Sequence, residues 1–147
     1  MRYALLVSFC LATFACSSES SDPLPDAGQP DATAPKLAVS FNPAEATARR
    51  LTADGGPDVW RASTLGEYEV VVLEGTGAIT VAAKGGGTTP WTTTWTIPDG
   101  DKTKGLAGSS TASFEAPGST PSGNYDLEIT ATVGATKTTA PLRIVVP

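Results

Sequence analysis

The sequence contains no histidine and only two cysteines, Cys10 and Cys16, in 147 residues. The absence of histidine removes the side chain that most often serves as a general base or binds a transition metal. Charged residues make up only 17% of the chain, and 15 acidic residues outnumber 10 basic ones. Because an acidic chain repels phosphate backbones, we expect no nucleic-acid partner.

The longest apolar run lies at the start of the chain and is short. Tyr3 to Ala15 are apolar or small residues, and Arg2 supplies a positive charge before them. A helix that spans a bilayer needs ~20 such residues. The length is instead typical of the apolar core of a secretory signal peptide. We therefore predict that residues 1–15 are an export signal.

This run ends in "TFAC", Thr13 to Cys16. The stretch resembles the lipobox of bacterial lipoproteins, in which a small residue precedes a cysteine that is acylated and becomes the mature N-terminus. Ala15 and Cys16 match this pattern, whereas Thr13 and Phe14 depart from it. The resemblance implies lipid attachment at Cys16, palmitate included, and a firm membrane anchor, since two or more acyl chains hold a protein stably. Ser17 after the cysteine then points to the outer membrane. The alternative is an ordinary signal peptide cleaved near Ala15.

Residues 16–35 differ in composition from the remainder of the chain. Ser17 to Pro35 is rich in serine, proline and aspartate, and Leu24 is its one large apolar residue. Such a segment cannot bury enough apolar surface to fold. We predict a disordered tether that begins at the lipid-attachment residue Cys16.

Residues 36–147 contain short β-like runs separated by glycine and proline. Evenly spaced runs without a helical period predict an all-β fold, an antiparallel β-sandwich. The runs that we expect to be strands are "KLAVSF", "GEYEVVVLE", "AITVAAK", "WTTTWTI", "STASFEAP", "NYDLEITATV" and "TKTTAPLRIVV".

The last two runs predict a hairpin with a defined register. Apolar residues alternate with polar ones from Tyr125 to Val133, which places the apolar set on one face. Gly134 can occupy the positive-φ position of a two-residue turn. That turn pairs Val133 with Thr136, and the rest of the register follows: Leu127 with Leu142, Tyr125 with Ile144, and Asp126 with Arg143.

This closing segment, "SGNYDLEITATVGATKTTAPLRIVV", resembles the last hairpin of bacterial immunoglobulin-like domains, which carry a recurrent "GxYxLxITAT" strand. The resemblance extends more loosely over residues 36–146 and implies an immunoglobulin-like sandwich. It places Tyr125 at the position of a corner tyrosine. Leu127 stands where antibody domains have the cysteine of the strand, so no inter-sheet disulfide is implied. A fold of this kind does not by itself indicate an activity.

The three tryptophans are the candidate ligand-contacting aromatics. Trp91 and Trp95 share one face of "WTTTWTI", so they form either a platform for sugar rings or part of the core. We expect at least one of the two in the core. Trp60, in "GGPDVWRAS", lies outside the clear strands, and the pattern leaves open whether it caps the sandwich or is exposed.

Other motifs favour structural roles. Asp99 and Asp101 alternate as at the start of a calcium loop, but the sixth and twelfth positions lack the required Gly and Glu. Glu67 and Glu69 share the polar face of a predicted strand, where no cleft is expected to serve glycoside hydrolysis. We therefore expect no metal site, no cofactor and no catalytic residues.

Together these features predict a bacterial cell-envelope lipoprotein that carries a non-catalytic binding or scaffolding module. Its partners would be the membrane, through the lipid, and envelope proteins or glycans. The contact surface would come from the loops at residues 54–60, 84–90 and 99–105, or from an exposed strand edge. Two alternatives remain open: a carbohydrate-binding accessory module that uses the tryptophans, and a purely architectural lipoprotein.

Overall fold

A computed structural model describes residues 35–52, 54–71, 73, 75–98 and 105–147. These residues form strands and turns, with no helix among them. The strands are β1 (Lys36–Asn42), β2 (Glu45–Thr47), β3 (Arg49–Leu51), β4 (Val59–Val71), β5 (Ala78–Ala83), β6 (Thr92–Thr93), β7 (Leu106–Pro117), β8 (Gly123–Val133) and β9 (Thr136–Val146).

Two sheets contain all of these strands. In the first sheet the order is β1-β4-β7-β6, and β3 also pairs with β4; every pairing is antiparallel. In the second sheet the order is β2-β9-β8-β5, in which β2 runs parallel to β9 and the other pairs are antiparallel. The all-β architecture that we predicted is confirmed, and the two sheets form a β-sandwich-like arrangement.

The predicted β8–β9 register is confirmed at every pair. Val133 lies opposite Thr136, and Leu127 lies opposite Leu142. Gly134 has a φ of 57°, a left-handed conformation that glycine adopts without steric cost. The register is fixed because a slip by one residue would turn the whole apolar set toward water.

The apolar faces of both sheets contribute to a single core. In β8 and β9 the buried residues alternate with exposed or half-buried ones over most of each strand. The largest side chains with almost no exposure come from both sheets and from the segment between β5 and β7: Trp91, Phe114, Ile97, Leu127, Ile129, Leu142, Ile144, Val70 and Val133. Each contributes on the order of 1.5–3 kcal/mol by burial, and no disulfide supplements them, since both cysteines precede residue 35.

Two strand predictions were wrong. The strand expected to begin at Gly66 begins at Val59, so Trp60 lies within β4 rather than outside the strands. Of the strand expected over "WTTTWTI", only Thr92–Thr93 form a strand. Here the Oγ1 of Thr93 accepts a hydrogen bond from the backbone N–H of Trp95 at 3.1 Å. Local bonds of this kind compete with a sheet ladder, although the alternating burial of the segment is retained.

Trp95 packs directly on the backbone of Gly66. A row of three residues crosses the first sheet at this point: Phe41, Gly66 and Ser110. The indole Nε1–H of Trp95 donates to the Oγ of Ser110 at 2.8 Å, and its ring meets that of Phe41 edge to face at 5.4 Å. A glycine in a strand interior often marks such a close approach.

The substitution Gly66→Ala tests this packing. A Cβ atom at residue 66 would lie 2.5 Å from Cζ2 of Trp95, so the indole must move. We expect the free energy of unfolding to fall by about 1–3 kcal/mol, as overpacked cores generally do. Denaturant unfolding of the four proteins in a double-mutant cycle with Trp95→Phe measures the coupling. An equal effect of Gly66→Ala in both backgrounds would show that the indole is not the obstacle.

Candidate functional site

Several predicted features lie outside the described residues. These are the lipid-attachment residue Cys16, the export signal, nearly all of the tether, and Asp99 and Asp101 of the charged turn. The loop expected at residues 99–105 is described only at Gly105.

Trp91 and Trp95 are both in the core. Their relative exposures are 1% and 6%, so neither presents a ring face to a ligand. The ring of Trp91 packs edge to face against Tyr125 of β8, with the ring centroids 5.9 Å apart. The two indoles therefore belong to the packing of the sheets, as expected for at least one of them.

Trp60 is half-buried and packs against the core from β4. It lies opposite Ala116 of β7, on the face of the first sheet that points inward. Among the described residues, the buried indole N–H groups of Trp60 and Trp91 have no hydrogen-bond partner.

The paired glutamates of β4 are engaged with β1 on the outer face of the first sheet. The Oγ of Ser40 donates to Glu67 at 3.0 Å, and the Nζ of Lys36 contacts Glu69 at 2.5 Å. These contacts link neighbouring strands. They give both carboxylates a structural role at the sheet surface.

Two of the predicted contact loops meet at one edge of the first sheet. Pro57 and Asp58 come from the loop before β4, and Pro90 comes from the loop after β5. Together with β7 they line a largely apolar groove of about 360 Å³, which we call the proline groove. Its lining residues are Pro57, Asp58, Val59, Pro90, Thr92, Glu115, Ala116 and Pro117.

A second pocket lies on the outer face of the first sheet, and the sequence pattern did not predict it. β1 pairs with β4 from residue 65 onward, and β3 pairs with residues 59–61. Among the described strands, none pairs with residues 62–64 of β4 on that side. The chain leaves the first sheet there to form β2. The resulting pocket of about 430 Å³, which we call the arginine notch, is lined by Thr47, Arg49, Leu51, Arg61 and Ser63.

The charges at the arginine notch are unevenly paired. Arg61 contacts the Oε1 of Glu115 through Nε at 2.7 Å and through Nη2 at 2.5 Å. Arg50, on the other face of β3, pairs with Asp58 at 2.8 Å. Arg49 lies directly opposite Arg61. It has no ion-pair or hydrogen-bond partner within the ranges that the structure describes. In the sequence this site is visible only as the arginines of "ATARRL". That Arg49 lies opposite Arg61 follows from the pairing of β3 with β4, which the sequence does not reveal.

A third pocket, of about 370 Å³, lies on the second sheet beside the ion pair of Asp126 and Arg143. The Nε of Arg143 donates to Oδ1 of Asp126 at 2.7 Å, and Nη2 donates to Oδ2 at 3.2 Å. The hydrogen bond from Arg143 is the main cause that lowers the pKa of Asp126 below its ordinary value. The same bond raises the pKa of Arg143.

No protein-family model matches the chain, and the sequence is not significantly similar to any curated protein. Over the parts of the chain that the structure describes, no helix is long and apolar enough to cross a bilayer. In the same parts, no three His, Cys, Asp or Glu side chains are grouped so as to hold a metal ion.

The Asp126–Arg143 pair predicts a pH dependence of stability. A carboxyl group with a lowered pKa in the folded state stabilises the fold above its unfolded pKa, near pH 4. That contribution is lost as the pH falls through the folded pKa. We therefore expect Asp126→Asn to be less stable than the wild type at pH 7, with the difference disappearing toward pH 2.

Thermal unfolding between pH 2 and pH 7 measures this difference. Glu128→Gln removes the same charge from the same face of β8 and is the matched control, because Glu128 lies opposite Pro141 rather than an arginine. The ion pair would be ruled out if the Tm difference between Asp126→Asn and the wild type stayed constant with pH. It would also be ruled out if Glu128→Gln gave the same difference.

Proposed function

We propose that this chain is a bacterial cell-envelope lipoprotein, acylated at Cys16 and anchored in the outer membrane. The observation that carries the proposal is the sequence "TFAC" at the end of an apolar run. This run follows the positive charge of Arg2 and is too short to span a bilayer. The serine-, proline- and aspartate-rich residues 17–35 hold the folded part of the chain away from the lipid. Signal peptide, lipid site and tether then precede a single folded module.

We propose further that this module is an immunoglobulin-like domain. Constant-type immunoglobulin domains have the strand order A-B-E-D in one sheet and C-F-G in the other. The order β1-β4-β7-β6 corresponds to A-B-E-D, and β5-β8-β9 corresponds to C-F-G. The correspondence holds in chain order as well as in space, which supports the assignment.

Tyr125 supports the same assignment. In immunoglobulin-like domains a corner tyrosine near the start of strand F donates its hydroxyl to the backbone a few residues upstream. The Tyr125 hydroxyl donates to the carbonyl oxygen of Pro121 at 2.8 Å. The residue two positions later, Leu127, is buried in the core at the position of the antibody cysteine. Apolar packing thus takes the place of a disulfide in this domain.

The role that these features favour is binding or scaffolding without catalysis. The sequence lacks histidine, and Glu67 and Glu69 serve contacts between strands. The proline groove unites two of the loops that we expected to meet a partner, and its apolar walls suit a segment of an envelope protein. The burial of Trp91 and Trp95 weighs against the carbohydrate-binding alternative, for which only the half-buried Trp60 remains.

Acylation of Cys16 can be tested in cells. We expect Cys16→Ser to abolish incorporation of an alkyne-labelled palmitate and to move the protein from the membrane fraction to the soluble fraction. Cys10→Ser is the matched control, because it removes the other thiol, which the proposal places in the discarded signal peptide. Intact mass spectrometry of the mature wild-type chain should give a lipidated N-terminus at Cys16. A mature chain that starts elsewhere, or that is unmodified at Cys16, would refute the proposal.

A further inference from the structure

We propose that the arginine notch binds an oxyanion, a carboxylate or phosphate carried on a small organic ligand. The inference deepens the proposed binding role, on which it rests, by naming a ligand class and a second contact surface. It does not depend on the lipid anchor. Its basis is the pair of arginines that face each other across β3 and β4.

Arg49 and Arg61 are directly opposite residues of an antiparallel pair. Side chains in such positions project from the same face with Cβ atoms ~5 Å apart, and like charges there destabilise the sheet. Glu115 neutralises Arg61 from the β7 side. The guanidinium of Arg49 remains uncompensated by the described residues, although the chain as a whole is acidic, with a net charge of −5. An anion beside Arg49 supplies the counter-charge that the described residues leave out.

The remaining lining residues suit an organic anion rather than a bare ion. Thr47 and Ser63 add hydroxyl groups, which can donate to an oxyanion or bond to a sugar hydroxyl. Leu51 is 37% exposed and supplies an apolar wall. The volume of about 430 Å³ falls within the usual range of small-molecule pockets, roughly 300–1,000 Å³. Arginine is suited to such a ligand because its planar fork binds carboxylate or phosphate bidentately.

The path of the chain explains why the arginine notch is open to solvent. No described strand pairs with residues 62–64 on this side, because the chain crosses to the second sheet after β1. The Oγ1 of Thr64 donates to the carbonyl oxygen of Pro43 at 2.7 Å, which fixes the crossing point beside the notch. Ser63 lies on the outer face of β4 with its Oγ 3.3 Å from that of Ser113. The floor of the notch is thus tied to two neighbouring segments.

The test is a titration of the full chain in detergent with three probes: glucuronate, inorganic phosphate and uncharged glucose. We expect glucuronate, phosphate or both to raise Tm, by about 5 °C at ten times Kd, while glucose does not. Two-dimensional NMR should place the saturable shifts at the amides of residues 47–51 and 61–63. A response to glucuronate alone indicates an acidic sugar, and a response to phosphate indicates a phosphorylated ligand or lipid headgroup.

Arg49→Gln separates binding from folding. We expect it to weaken anion binding at least tenfold, while Tm without ligand stays the same or rises, since a like-charge pair is lost. Lys137→Gln removes one positive charge from β9 of the other sheet and should bind like the wild type. The proposal is overturned if no anion gives a saturable response, if Arg49→Gln binds as the wild type does, or if glucose binds equally well. None of these results bears on acylation of Cys16, which the labelling experiment tests separately.

Discussion

The packing of Trp91–Ile97 between the two sheets is the contact on which the rest of the structure depends. Trp95 lies on the first sheet, against Gly66, Phe41 and Ser110. Trp91 packs on Tyr125 of the second sheet, and Ile97 accepts a backbone hydrogen bond from Gly77, next to β5. A segment with only two residues in a sheet ladder thus holds both sheets, in a module whose residues include no cysteine to cross-link them.

The candidate binding surfaces follow from the same architecture. Trp91 and Trp95, the aromatic residues that suggested a sugar platform, are buried in the core and cannot contact a sugar. The two candidate surfaces lie where strands end or change sheets. The proline groove forms where two loops meet β7, and the arginine notch forms where β1 gives way to β2. One surface is apolar and the other is cationic, so the two suit different ligands.

The sequence was sufficient for local pairing and insufficient for long-range pairing. The β8–β9 register could be predicted because a strict alternation and a single glycine, Gly134, fix it over a two-residue turn. The extent of β4 could not be predicted. The glycines and the proline that precede Val59 indicate a break in the strand, and so does Gly66 within it. Only the fold shows that Gly66 is small because an indole lies on it.

The arginine notch was missed for a related reason. Its key feature, Arg49 opposite Arg61, depends on the register of β3 against β4. The glycines and proline of the loop before Val59 mark a turn but do not fix which residues pair across it. The proposed tether and lipid site are the opposite case, because composition and the lipobox-like stretch are the whole basis of that proposal. A site within one stretch of chain can be proposed from the sequence alone, whereas a site assembled from separate strands requires the fold.

Nuclear Overhauser measurements on the aromatic protons test the central packing most directly. The expected result is a set of strong cross-peaks from the Trp95 indole to the Hα protons of Gly66, together with cross-peaks from the Trp91 indole to the ring of Tyr125. These two sets would place one segment against both sheets at once. Absence of either set, with the tryptophan rings instead in contact with solvent, would contradict the account.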